Sequence, residues 1–217
     1  MSVSSIIREL HEQLPQGVNL VAVSKYHPAE AILEAYSAGQ RIFGESRVQE
    51  LVVKEESLPK DIEWRMIGHL QSNKVKYIAP FISLIESVDS SRLLSEISRC
   101  AVKAGRCIDI LFEIHVAAEQ SKHGWDWEAL KSFVESGELT HMPNIRVRGV
   151  MGMATYTDDM TIVTQEFNEL KGYFEQLSSY FDESFDTLSM GMSDDYKIAI
   201  ECGSTSVRIG SRIFGSR

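Results

Sequence analysis

The sequence predicts an α/β fold, a (β/α)8 TIM barrel, on three observations. Short apolar runs of strand length recur along the whole 217-residue chain. Each run is followed by a segment of helical periodicity or a turn, and strict β-then-α alternation means a parallel sheet. Eight such units close into a barrel more naturally than they open into a doubly wound sheet, and at 217 residues they leave no room for a second domain. No Pro/Gly/Ser-rich linker, low-complexity tract or internal repeat interrupts the alternation, so residues 1–217 are expected to form one barrel domain.

The elements follow in order. The chain opens on an amphipathic segment with Ile6, Ile7, Leu10 and Leu14 at helical spacing; it is expected either to cap the barrel or to contribute to a weak dimer. Residues 18–24, VNLVAVS, are a continuous apolar run of the kind a strand buried on both faces needs. A helix follows in PAEAILEAYSAG, with Pro28 in its first turn and Gly39 stopping it. RIFG at 41–44 leads to a helix from Glu45, and residues 64–68 lead to one from about Ser72, where Asn73 has the chemistry of an N-cap. Residues 83–88 precede a helix over 91–104, and residues 108–116 one over 126–136 with Asp126 as its N-cap. Residues 145–151 lead to a long helix within 160–181, and residues 187–190 to one over 194–202. Residues 206–209 lead to a short C-terminal turn.

Composition excludes several classes of function. With 31 Asp and Glu against 22 Lys and Arg the formal charge is −9. That balance argues against nucleic acid or an anionic membrane as partner, since both need a basic face. At 43% hydrophobic and 24% charged residues, the chain reads as an ordinary globular protein. Cys100, Cys107 and Cys202 are odd in number and lack CxxC spacing, which points to a reducing compartment. The six histidines include no HxxxH or HxH pair, so no metal site is expected. The N-terminus lacks the features of a signal peptide, and no apolar stretch approaches the roughly 20 residues that span a bilayer. The expected location is cytoplasmic.

In such a barrel, chemistry belongs at the C-terminal ends of the strands. Lys25 follows VNLVAVS, and strand alternation puts Val21, Val23 and Lys25 on one face. With that face turned inward the ammonium emerges at the mouth partly desolvated, and a desolvated lysine becomes a Schiff-base nucleophile. The other reading is a solvated lysine at a strand end. The tail GSTSVRIGSRIFGSR places Gly210 and Ser211 after the last strand, where free N–H groups and a helix dipole suit a phosphate; the alternative is that the glycines only permit a tight turn. Ser189, ending the seventh strand, adds a hydroxyl donor. Arg208 falls inside the last strand and needs a partner: a barrel carboxylate such as Glu45, Asp89 or Glu113, or else the ring nitrogen of a bound heterocycle. Lys122, in AAEQSKHGW, is either a second amine near the mouth or a solvated loop residue. The methionines of VMGMAT and SMGMSDD read as packing of the upper core.

The strings VAVSK, FGESRVQE, IGHLQSNK, AAEQSKHG, LSMGMSDDY, GSTSVRIGS and IFGSR, in this order from about residue 18 to the C-terminus, resemble the pyridoxal phosphate homeostasis protein family. The resemblance implies an alanine-racemase-like barrel, the N-terminal-domain fold of that enzyme without its second domain. It implies pyridoxal 5′-phosphate as cofactor, held as an aldimine on Lys25. Ser189, Gly210 and Ser211 would contact the phosphate, and Arg208 would face the pyridine nitrogen. Ser46 and His115 depart from the family pattern, where many members carry Asn, and neither is assigned a contact. Lys122 matches a second lysine of the family that is tied to cofactor transfer.

Three functions compete. The first is a non-catalytic cofactor binder in vitamin B6 homeostasis, with apo forms of pyridoxal-phosphate enzymes as candidate recipients and a monomer or weak homodimer as its state. An arginine cannot give its proton to the ring, which leaves the ring a weaker electron sink than a carboxylate would. The second is a bare-barrel amino-acid racemase or another pyridoxal-phosphate enzyme; it needs acid–base groups on both faces of the substrate carbon, and Lys25 serves only one. The third is a Schiff-base aldolase or phosphosugar isomerase on a generic barrel, which leaves the seven ordered strings unexplained.

Overall fold

A computed structural model describes residues 2–119 and 123–215. Eight parallel strands close in sequence order into a barrel: β1 Asn19–Val23, β2 Ile42–Glu45, β3 Glu63–Met66, β4 Leu84–Val88, β5 Ile108–Glu113, β6 Ile145–Met151, β7 Thr187–Ser189 and β8 Ser206–Ile209. The last strand returns to the first, with Val21 opposite Arg208 and Ala22 opposite Ile209. Around them lie α1 Val3–Gln13, α2 Ala29–Ser37, α3 Val48–Ser57, α4 Val75–Ile78, α5 Ser91–Ala104, α6 Trp127–Glu135, α7 Met160–Ser178, α8 Tyr196–Glu201 and α9 Ser211–Phe214. The predicted (β/α)8 architecture is the observed one.

The differences are local and have causes. The apolar run at 108–116 leaves the ladder after Glu113, because Ile114 turns to bridge Trp125 instead. The helix expected from Glu45 starts three residues later, since Glu45 still belongs to β2. Asn73 caps nothing: it sits within a 3-10 turn, Ser72–Lys74, entered from Gln71 without a side-chain cap. Asp126 does cap α6, its carboxylate accepting the Ala129 N–H. The opening helix α1 buries Ile7 and Leu10 and packs on α2 and α9, and Glu9 accepts from Arg212 at 2.8 Å. Among the described residues, no helix is long and apolar enough to cross a membrane.

Strand alternation creates two separate interiors. Leu20, Ala22, Phe43, Trp64 and Phe112 join the large apolar layer between sheet and helices. Inside the barrel, Leu84, Leu111 and Met151 form a small cluster of their own, against which Met153 packs. Val21 and Val23 are buried outside that layer as well, and the buried strand residues also include the polar set Arg65, Glu86, Ser189, Ser206 and Arg208.

The closure of β6 on β7 depends on one backbone position. Gly149 faces Thr187 of β7 at φ +149°, just past a register shift of β6 against β5, and a Cβ there would lie 1.8 Å from the Thr187 carbonyl oxygen. No side chain can yield to relieve that contact, because both partners are backbone. Gly149→Ala is therefore expected to lower the unfolding free energy by at least about 3 kcal/mol. A urea titration reads this as a drop in midpoint, and an unchanged midpoint would show that the two strands separate freely.

Candidate functional site

The barrel interior is organised by Arg208. Only 4% exposed, its guanidinium donates from Nη1 to the Ser189 carbonyl at 2.9 Å and to Ser189 Oγ at 2.6 Å, and from Nη2 to the Gly152 carbonyl at 2.9 Å. Ser189 Oγ donates onward to Glu86 Oε2 at 2.6 Å. The other Glu86 oxygen pairs with Arg65 Nη1 at 3.2 Å, and Arg65 donates to Ser206 Oγ at 3.1 Å. Burial pulls the Arg208 pKa down, while Glu86 and Glu113 hold it charged. One expectation is sharpened here and another corrected. A barrel carboxylate does stand nearest Arg208, as expected, but it is Glu86, 3.8 Å away, and none of the three named examples. Ser189 is fully buried with its hydroxyl spent between Arg208 and Glu86, so it has no hydrogen left for a phosphate.

Lys25 sits two residues beyond β1, on the rim. Val21 and Val23 stay outside the helix-facing layer, as alternation requires, but Lys25 itself is exposed, which corrects the expectation of a desolvated amine. What distinguishes Lys25 is the turn beneath it. Buried Lys54 donates to the Ser24 carbonyl at 2.9 Å, to Glu45 Oε1 at 2.7 Å and to Glu50 Oε1 at 2.7 Å. Ser24 Oγ donates to the same Glu45 oxygen at 2.6 Å. Burial pushes the Glu45 carboxyl up, and the bonds from Lys54 and Ser24 pull it back. Tyr26, at φ +68°, donates its N–H to Glu50 Oε1 at 2.6 Å, with the Arg47 guanidinium 4.8 Å from its ring. Sequence reasoning missed this clamp; its one visible sign is Glu50 and Lys54 four apart in a helix.

Gly210 and Ser211 open α9 next door. Gly210 lies so close to β1 that a Cβ on it would come within 3.1 Å of the Val23 carbonyl. Its N–H donates to Ser193 Oγ at 3.3 Å, and the first N–H groups of α9 have no intrahelical acceptor. Ser211 is exposed at that helix start. Ser193 was also missed, since SMGMSDD was read for its methionines alone. Of those, Met151 and Met190 are fully buried as expected, and Met192 is 37% exposed. Together the rim offers a primary amine and an N–H-rich anion cradle on adjacent strands, above a buried guanidinium.

Ser46 and His115 are half-buried, and Lys122 lies outside the described residues. A cavity of about 460 Å³ opens at the opposite end of the barrel, beside Asn19, Glu63, Asp109 and Arg148. Its ion pairs, Arg148 with Asp109 at 3.0 Å and with Asp186 at 2.9 Å, close the end where the strands begin. Chemistry in this fold belongs to the other end.

Glu113 titrates unusually. It is 3% exposed and its Oε2 has no hydrogen-bond partner among the described residues. Burial first, and then the charge of Asp89, push its pKa up to about 7, with Arg208 opposing. Above its unfolded value near 4.5, the folded state keeps a proton that the unfolded chain has lost. Stability from this group therefore falls as pH rises to 7, by on the order of 3 kcal/mol. Glu113→Gln is expected to raise stability over the native protein at pH 8 and to leave it unchanged near pH 4. Denaturation midpoints across that range check the sign, and equal gains at both ends would remove the titration argument.

Comparisons with known proteins agree with this architecture. The profile of the family described as "Alanine racemase, N-terminal domain" matches residues 3–217. A pyridoxal phosphate homeostasis protein of Aquifex aeolicus is 39% identical over 215 residues, covering 97% of this chain and 93% of the relative. One from Schizosaccharomyces pombe is 35% identical over 221 residues, covering 100% of this chain and 92% of its own. The solved structure of PipY from Synechococcus elongatus, with PLP bound, superposes with a TM-score of 0.89 at 35% identity, covering 99% of this chain and 100% of that one. Alanine racemase from E. faecalis shares the fold alone, at 14% identity and a TM-score of 0.72, with 58% of its chain covered. On full-length similarity of this kind, the chain belongs to the pyridoxal phosphate homeostasis protein family, whose barrel is that of the alanine racemase N-terminal domain.

Proposed function

We propose that the protein is a single barrel domain that binds pyridoxal 5′-phosphate at its C-terminal rim and serves intracellular vitamin B6 homeostasis without catalytic turnover. The observation that carries this reading is the placement of Lys25 beside the Gly210–Ser211 helix start, on adjacent strands above Arg208. These residues fit the cofactor's three handles. When bound, pyridoxal phosphate supplies an aldehyde that a lysine amine captures reversibly. Lys25 is the amine, presented on a turn that Lys54 fixes from below. The N–H of Ser211 and the hydroxyl of Ser193 receive the phosphate, and the Gly210 N–H joins them by exchanging its 3.3 Å bond to Ser193 Oγ for the ligand. Arg208 keeps its proton at any relevant pH, so it holds a facing ring nitrogen unprotonated. Its Nη1 is spent on Ser189 and one Nη2 hydrogen on Gly152, which leaves Nε and the second Nη2 hydrogen for that role. Ser189 acts by aiming Arg208 and does not touch the phosphate.

The absence of turnover is supported by the same arginine, since an unprotonated ring is a poor electron sink, and by relatives of nearly the same length that carry the homeostasis name. In this reading the recipients are apo forms of pyridoxal-phosphate enzymes. The packing of α1 on α2 and α9 favours a monomer or a weak homodimer. Three free cysteines fit the reducing cytoplasm.

Two experiments test the proposal. Protein mixed with pyridoxal phosphate and dialysed is expected to show visible absorption that borohydride bleaches while fixing the cofactor to the Lys25 peptide. Lys25→Ala is expected to show neither, and an unlabelled Lys25 in the native protein rejects the assignment. For turnover, loaded protein incubated with alanine in heavy water is expected to exchange the α-proton no faster than Lys25→Ala. Exchange well above that control establishes a racemase-like enzyme instead.

A further inference from the structure

A second group of side chains converges on the same rim from three other strands. His69 follows β3, Asp89 follows β4, and His123 lies on the return beyond β5. One ligand atom from each can be chosen so that all lie within 4.8 Å of one another. His69 Nδ1 is 3.1 Å from Asp89 Oδ2, and the imidazoles of His69 and His123 stack with centroids 4.0 Å apart and planes inclined by 18°.

The backbone around these side chains is fixed. Ser90 Oγ donates to Asp89 Oδ1 at 3.0 Å, which turns Oδ2 toward His69. Beside His123, Gly124 takes φ +135° where a Cβ would lie 2.6 Å from the His115 nitrogen. Trp125 then donates its N–H to the Glu113 carbonyl at 2.7 Å, and its own carbonyl accepts from His115 at 3.0 Å. His69 and His123 are exposed and Asp89 is half-buried, so the imidazoles can turn to close around an ion.

We propose that His69, Asp89 and His123 form a binding site for a borderline divalent transition-metal ion such as Zn2+. Two imidazole nitrogens and one carboxylate oxygen are a donor set for Zn2+, Co2+ or Ni2+, whereas Ca2+ and Mg2+ favour oxygen ligands alone. Three protein ligands leave a coordination position open toward solvent, as in zinc sites that take a water or an external donor. Sequence spacing hides the site, because its ligands come from three strand ends and only the closed barrel brings them together. None of the three belongs to the Lys54 clamp or the Arg208 network, so the site stands independently of cofactor binding.

Co2+ is the probe, because its visible d–d absorption reports nitrogen and oxygen coordination. The full-length protein is expected to take up one Co2+ per chain, displaceable by Zn2+. His69→Gln, His123→Gln and Asp89→Asn should each weaken uptake at least about tenfold with circular dichroism unchanged. Lys25→Ala and Cys107→Ser should bind as the native protein does. The proposal is overturned if the rim variants bind Co2+ like the native protein or if the native protein binds none. It is equally overturned if uptake disappears with Cys107→Ser or Lys25→Ala, which would assign the ion to the exposed thiol or to bound cofactor.

Discussion

A charge that the barrel cannot leave unpaired fixes its interior. Glu86 is fully buried and Arg208 nearly so, and moving either ion out of water costs several kcal/mol even after relaxation. Removing one member of such a pair typically costs 3–5 kcal/mol, because the other is stranded. Barrels of this class usually fill their interior with layers of branched aliphatic side chains. Here Gly44, Ser189 and Ser206 are small enough to admit two arginines and a glutamate, and every bond among them is charge-assisted. The network reaches beyond electrostatics. Through its two carbonyl acceptors Arg208 ties β8 to the C-terminal ends of β6 and β7, so the pairing also shapes the rim.

The rim's two lysines show the same physics in two environments. Lys54 is 6% exposed and saturated by three oxygens, so its ammonium is committed to holding the turn. Lys25 is exposed and joins no ion pair among the described residues. The left-handed backbone at Tyr26 costs on the order of 1–3 kcal/mol, and it persists because Glu50 accepts the Tyr26 N–H while pairing with Lys54. A substitution at Lys54 would therefore be felt first in the direction of the Lys25 backbone.

What the sequence disclosed follows from which forces are local. Strands buried on both faces must be apolar, so VNLVAVS, SLIESV and IRVRGVM were visible as strands, and Asp126 was visible as a cap because capping acts over three residues. The partner of Arg208 was not visible. Glu86 sits in mid-strand on β4, and its meeting with β8 across the interior exists only once the barrel closes. Lys25 was placed correctly at the strand end but not in its environment, because alternation stops where Tyr26 turns the chain. Ser193 was overlooked for a different reason. A serine among methionines carries no periodic signal, and its hydroxyl acquires meaning only against the Gly210 N–H.

The formal charge of −9 describes the exterior and says little about the mouth. An anion arriving there meets the Lys25 ammonium, the start of α9 and, below them, a guanidinium whose own countercharge, Glu86, is already shared with Arg65. The next carboxyl to face it, Glu113, has its pKa pushed up to about 7 by burial. Acidification over the neutral range therefore removes negative charge from beneath the rim while leaving the cations intact. At the scale of a single small ligand, where charges a few ångströms away outweigh screened ones at the surface, an acidic protein presents a cationic site.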